Sequence, residues 1–271
     1  MSSPAREIAP AKLNLALHVR GMLPDGRHAI ETLFAFCTDG DRLSAEPADE
    51  LTLEVSGPFC SDLPAGEDNL VLKAARGLRQ SAGVTKGAAI SLEKRLPIAS
   101  GIGGGSADAA AALRLLTSLW GLDPKHAEAV APSLGSDALA CLLSLPARGE
   151  GAGDVLTLVE LPELSGAPVL LINPRVPLLT AEVYARWDGV DLGPLGDDWR
   201  NARNDLEKPA IALMPLIGAV EAWLAAQSGA NFTRMSGSGA TCFAIFDSEE
   251  RRDAAADSVP REWWRLATFL R

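Results

Sequence analysis

The sequence predicts an α+β fold in two domains, and three observations carry that reading. Strand-like and helix-like segments mix along all 271 residues with no internal repeat and no low-complexity tail. A glycine-rich run over residues 97–108 leads into an apolar stripe at helical spacing: Ala109, Ala110, Leu113, Leu116, Leu119 and Trp120. Over residues 162–168 the chain turns rich in proline and glycine before a new strand starts. That marks a boundary between domains of residues 1–162 and 163–271.

Residues 8–19, 29–37 and 51–55 read as strands separated by turn residues. A helix follows over 69–82, with Asp68 as its cap. A short strand over 88–92 delivers the chain to the glycine run. The next helix starts at Ser106 or Ala107 and stops at Gly121, with Pro124 beyond it. A helical run over 127–145 is interrupted at Pro132 and Gly135. In the second half the pattern gives a strand over 169–172, a region near 180–187, one helix over about 206–226, and a small-residue loop, Ser236-Gly237-Ser238-Gly239-Ala240. A strand over 241–246 follows that loop.

At this length the chain can bury a sizeable core. Its net charge of −10 argues against a nucleic-acid partner, which needs a basic surface to displace counterions. An anionic small molecule is still admissible, held by local amides and a few cations. Cys37, Cys60, Cys141 and Cys242 are widely scattered, with no metal or redox spacing, and three of them lie in apolar surroundings. No apolar run approaches membrane-spanning length, and the N-terminal residues lack a signal-peptide core. The expectation is a cytoplasmic protein with no membrane partner.

Chemistry concentrates at a few places. The run Ser100-Gly101-Ile102-Gly103-Gly104-Gly105-Ser106 leaves backbone N–H groups uncovered at the start of a helix, which suits an anion such as phosphate. The packed helix that follows rules out a flexible linker, although a structural turn stays open. The run fits neither the dinucleotide fingerprint, since Ser106 replaces the last glycine, nor the Walker pattern, since no Lys-Ser or Lys-Thr pair follows. Lys12 stands inside an apolar strand, in a chain with six lysines against nineteen arginines. It is either a half-buried ammonium with partners or a protective lysine on an edge strand. Asn14 falls on the same strand face. Asp137 precedes a wholly apolar segment, where capping is the simpler account and a functional carboxylate the alternative. The second loop, through Gly237 and Ser238, suits close backbone approach and could close over a phosphate from the other domain. His28, after the Asp25-Gly26-Arg27 turn, could present its ring nitrogens to a ligand.

Several motifs, in this order, resemble those of the GHMP kinases. They are Ala9-Pro10-Ala11-Lys12-Leu13-Asn14-Leu15, Asp25-Gly26-Arg27-His28, Asp68-Asn69-Leu70, the glycine run, Leu134-Gly135-Ser136-Asp137, Arg148-Gly149-Glu150-Gly151, Asn204-Asp205-Leu206-Glu207 and the Ser236 loop. The first two segments point to the branch that phosphorylates a cytidine-diphosphate derivative of methylerythritol in non-mevalonate isoprenoid biosynthesis. The resemblance implies a two-domain GHMP architecture with the active site in the interdomain cleft, ATP as co-substrate, Mg²⁺, and a monomer or weak homodimer. It assigns the ATP phosphates to Pro97, Ser100, Gly101, Gly103, Gly104, Gly105 and Ser106, with Asn69 near the adenine or ribose and Ser106 as a metal contact. Asp137 becomes the base and Lys12 the group that orients the acceptor hydroxyl. Asn14, His28, Tyr184, Gly237 and Ser238 become substrate contacts, with cytosine between His28 and Tyr184. Arg27 stands where the family commonly carries tyrosine, and Ala138-Leu139 replaces its usual Val-Pro. Rival readings are a GHMP kinase of the homoserine or mevalonate type, and a nucleotide-binding regulator without turnover.

Overall fold

The computed structural model describes residues 4–63 and 66–271. In chain order the elements are β1 (Ala5–Met22), β2 (His28–Ala48), β3 (Leu51–Ser56), α1 (Leu70–Ala82), β4 (Gly87–Glu93), α2 (Gly104–Trp120), α3 (Lys125–Val130), α4 (Ala138–Leu143), β5 (Ala147–Glu150) and β6 (Val155–Leu158). They continue as β7 (Pro168–Asn173), α5 (Thr180–Ala185), α6 (Glu207–Leu213), α7 (Leu216–Ala225), β8 (Ala230–Met235), β9 (Cys242–Phe246), α8 (Glu249–Ser258) and β10 (Trp264–Phe269). The fold is α+β, as the segment pattern required.

Two compact units are interleaved along the chain rather than consecutive. One comprises Met1–Ala11, Asp39–Ile98 and Gly103–Ser144; the other comprises Lys12–Thr38, Ala99–Ile102 and Leu145–Arg271. The long strands β1 and β2 pair with each other, and each contributes to both units. The proline- and glycine-rich stretch at 162–168 lies inside the second unit.

In the first unit β4 is flanked by the later half of β2, antiparallel with Arg42 opposite Glu93, and by β3, parallel with Leu51 opposite Ala88. A parallel pair needs a crossover, and α1 supplies it. Val71, Leu72, Ala75 and Leu78 form the buried stripe of α1, which lies against α2 and α3. The cap of α1 is Asn69, not Asp68. Its Oδ1 accepts from Val71 N at 2.9 Å, so the helix starts at Leu70.

The second unit carries an antiparallel sheet in the order β10-β7-β9-β8. Leu170, Ile172, Ala244 and Phe246 meet Ile217, Val220 and Leu224 of α7 in one apolar core. The helix expected over 206–226 is two helices, because Pro215 lacks the N–H that would continue α6 and opens α7 instead. Strands β5, β6, β8 and β10 and helix α8 went unread in the sequence. The β5 and β6 strands are only four residues each, and α8 has little apolar periodicity. Among the described residues no helix is long and apolar enough to cross a membrane. Cys37, Cys141 and Cys242 are buried and Cys60 is exposed, and none of the four forms a disulfide.

Candidate active site

Lys12 is 3% exposed, which removes the edge-protecting role, since that needs a solvated lysine. Its Nζ donates to Asn14 Oδ1 at 2.6 Å and to Gly101 O at 3.4 Å, and stands 5.6 Å from the centre of the Phe34 ring. The two-residue strand period puts Lys12 and Asn14 side by side, as the sequence required. Asn14 Nδ2 donates to Thr32 Oγ1 at 2.7 Å, and that hydroxyl donates to Ala16 O at 2.6 Å. The direction of every bond in this relay is fixed by its ends, because an ammonium can only donate and a carbonyl can only accept. Thr32 escaped sequence reading because nothing in the pattern of β2 distinguishes it from an ordinary strand threonine.

The glycine run reaches α2 through left-handed residues at Ala99, Gly101 and Gly103, with φ of 49°, 78° and 67°. Helix α2 starts at Gly104, two or three residues before the expected Ser106 or Ala107. Its cap residue is Gly103, which has no side chain to occupy the first-turn N–H groups. These donors, in Gly104, Gly105 and Ser106, are the elements of an anion cradle. Gly101 is obligatory: a Cβ there would clash with Ser236 O and lie 2.7 Å from Gly239 O.

The second loop therefore packs directly on the first within one unit, rather than reaching it from elsewhere. Thr241 N donates to Ser100 O at 3.1 Å, and Ser236 Oγ donates to Gly101 O at 3.0 Å while accepting from Asn14 N at 3.1 Å. Asn204 holds this loop from behind. Its Nδ2 donates to both Met235 O and Gly237 O at 2.8 Å, and its Oδ1 accepts from Leu206 N. Ser238 Oγ bonds Thr180 Oγ1 at 2.9 Å. Gly237, at φ 58°, approaches so closely that a Cβ would stand 3.1 Å from Asn14 Oδ1.

In the first unit Asp137 occupies the cap position of α4, yet its side chain makes no capping hydrogen bond. Capping was the simpler account and does not hold. The segment before it lies against the start of α2, since a Cβ on Gly135 would be 3.6 Å from Ser106 Oγ. The start of α1 is close by as well: a Cβ on Gly105 would be 3.3 Å from Leu70 Cδ1, next to Asn69.

In the second unit His28 and Tyr184 stack with ring centres 4.4 Å apart, and Trp187 meets His28 edge-on at 5.9 Å. With the rings in contact, a base cannot lie between them as they stand, so the expected sandwich becomes a platform. Burial pulls the His28 imidazole below its ordinary value, which favours the neutral ring. Trp187 was not singled out in the sequence. Arg27 is tied to Asp25 at 2.8 Å and to Asp154 at 3.0 Å. Among the described residues, no group of three or more His, Cys, Asp or Glu side chains could hold a metal ion.

Residues 69–144 match the GHMP kinases N terminal domain, and residues 191–266 match the GHMP kinases C terminal domain. The 4-diphosphocytidyl-2-C-methyl-D-erythritol kinase of Rhizorhabdus wittichii is 52% identical, over 98% of this chain and 94% of the relative. A crystal structure of 4-(cytidine 5'-diphospho)-2C-methyl-D-erythritol kinase superposes with TM-score 0.84 at 33% identity, covering 98% of each chain. A homoserine kinase from Cytophaga hutchinsonii superposes with TM-score 0.72 at 19% identity, over 100% of this chain and 96% of its own; that likeness is one of fold alone.

Proposed function

The chain belongs to the GHMP kinase family, and on that premise we propose that it transfers the γ-phosphate of ATP to the 2-hydroxyl of 4-diphosphocytidyl-2-C-methyl-D-erythritol. The observation that carries the reading is the Lys12 ammonium, buried in an apolar strand and held at Gly101 by the Asn14–Thr32 relay. A cation placed in this way at a glycine loop suits a reaction in which negative charge gathers on transferring oxygens. The extensive identity to relatives named for this acceptor supports the choice of substrate.

The amides of Gly103, at the cap of α2, and of Gly104, Gly105 and Ser106 in its first turn, with Pro97, Ser100 and Gly101 shaping the approach, hold the phosphates. Asn69 serves the nucleoside end. Asp137 takes the hydroxyl proton as the new O–P bond forms and the bond to the ADP oxygen breaks. Lys12 orients the hydroxyl and offsets the charge that develops on it. Asn14, Gly237 and Ser238 line the acceptor side, and His28 and Tyr184 present an edge and a face to cytosine. A magnesium ion would be carried mainly by the ATP phosphates, with Ser106, in the first turn of α2, as the protein hydroxyl assigned to it. Bound there, it would neutralise phosphate charge.

Purified protein should consume ATP with the cytidine-containing alcohol and not with homoserine or mevalonate; the opposite preference overturns the substrate. Asp137→Asn should lower kcat by about a thousandfold while ATP affinity, read by calorimetry, stays within about twofold. Wild-type protein that binds ATP and transfers nothing would leave only a nucleotide-binding regulator.

A further inference from the structure

We propose that Lys94, with Asp41 and Asp108, is a positioning triad that fixes both ends of the glycine run and so sets the affinity for ATP. The proposal rests on the reading that this run holds the ATP phosphates.

Lys94 is the residue after β4, and its side chain is 1% exposed. Its Nζ donates to Asp41 Oδ2 at 2.5 Å and to Asp108 Oδ2 at 2.7 Å. The other oxygen of Asp41, on β2, accepts from Arg95 N at 2.5 Å and Leu96 N at 2.8 Å. Asp108 is the fifth residue of α2. The chain is thus gripped at 94–96, just before the glycine run, and again at 108, just after it. Holding both ends removes freedom that glycines would otherwise give the run.

The ammonium also lies beneath the first residue of α2. A Cβ on Gly104 would stand 3.1 Å from Lys94 Nζ, so the cation packs on the backbone whose amides face the phosphates. Burial works against the charged lysine, but Asp108 and Asp41 outweigh it and hold its pKa above the ordinary value. Stability alone does not account for three ionisable groups withdrawn from water, because well-packed apolar side chains would serve as well or better. What the triad specifies is geometry.

The test compares wild type with the double variant Lys94→Met, Asp108→Leu, which removes both a charge and its partner. Mg²⁺-ATP is titrated into ¹⁵N-labelled protein while the amides of Gly103, Gly104, Gly105 and Ser106 are followed, and KM is measured for each substrate. We expect the double variant to keep a dispersed spectrum, to bind ATP about tenfold or more weakly, and to hold KM for the cytidine alcohol within about twofold. A folded double variant with ATP affinity within about twofold of wild type overturns the triad alone. Should the double variant not fold, Asp108→Asn decides, since it keeps the side-chain shape, removes one of the two ion pairs to Lys94 and leaves the glycine run unaltered. ATP binding several-fold weaker supports the triad, and unchanged binding overturns it. Wild-type amides that do not respond to ATP overturn the loop reading, and the triad with it.

Discussion

His28 and Tyr184 stand ring on ring, 4.4 Å apart and 27° from parallel. Tyr184 comes from α5 and His28 from the first residue of β2, so the stack joins segments far apart in sequence. Rings that hold each other in place spare the ordering that a lone flexible aromatic would need on binding. Tyr184→Ala should raise KM for the cytidine alcohol about tenfold with kcat little changed, the worth of one base on an aromatic ring. Tyr184→Trp should restore most of it. Steady-state kinetics at saturating ATP give the answer, and an unchanged KM in the alanine variant would remove the platform from recognition.

Thr32 tests the relay under Lys12. Thr32→Val keeps the shape but leaves Asn14 Nδ2 without its acceptor, a buried donor whose loss costs about 1–3 kcal/mol. Thermal melts should show that loss. If Asn14 also aims Lys12, kcat should fall several-fold while KM for ATP holds. A drop in melting temperature with full kcat would make the relay purely structural.

Gly101 admits no side chain, for two independent reasons: its φ of 78° and the carbonyls of Ser236 and Gly239 packed against it. Gly101→Ala should destabilise the protein by about 2 kcal/mol or more and abolish turnover, because both loops must shift. Gly26 also has positive φ, at 86°, but open space around it, so Gly26→Ala should incur only the conformational cost, about 1 kcal/mol. Denaturant unfolding of the pair separates close approach from backbone preference.

Glu221 sets a pH dependence of stability. Burial, joined by the charge and hydrogen bond of Glu207, pushes its carboxyl up from 4.5 to about 7, with Arg234 opposing. The folded state therefore holds this proton more tightly than the unfolded state. Its contribution is fully present below about pH 4.5, is lost as pH rises through 7, and is flat above. The side chain is partly solvated, so the loss is about 1 kcal/mol after screening. Glu221→Gln should remove that slope and melt higher than wild type at pH 8. Parallel melting curves for both proteins from pH 5 to 8 would contradict the assignment.

Much of this was legible in the sequence because local physics dictates it. Alternation exposed β1 and placed Asn14 beside Lys12, helical spacing exposed α1 and α2, and glycine content marked both loops. The misreadings have local causes too. Asn69 and Asp68 are equally good caps by type, and only Oδ1 of Asn69 reaches Val71 N. Pro215 divides a helix whose apolar pattern runs on across it. Thr32 and Trp187 carry no signal of their own, since each matters only through a partner remote in sequence.

The sequence by itself determined the fold class, the anion-cradle character of the glycine run and the oddity of a lysine in an apolar strand, because these follow from chain periodicity and side-chain chemistry. Tertiary structure decided what those residues do to one another. It packed the Ser236 loop onto Gly101, left the Asp137 carboxylate out of the capping role, turned Arg27 toward Asp25 and Asp154, and closed Lys94 into a cluster with Asp41 and Asp108. The Ser236–Gly101, Arg27–Asp154 and Lys94–Asp41 contacts join groups tens to hundreds of residues apart, at distances that only the packing of the whole chain can set.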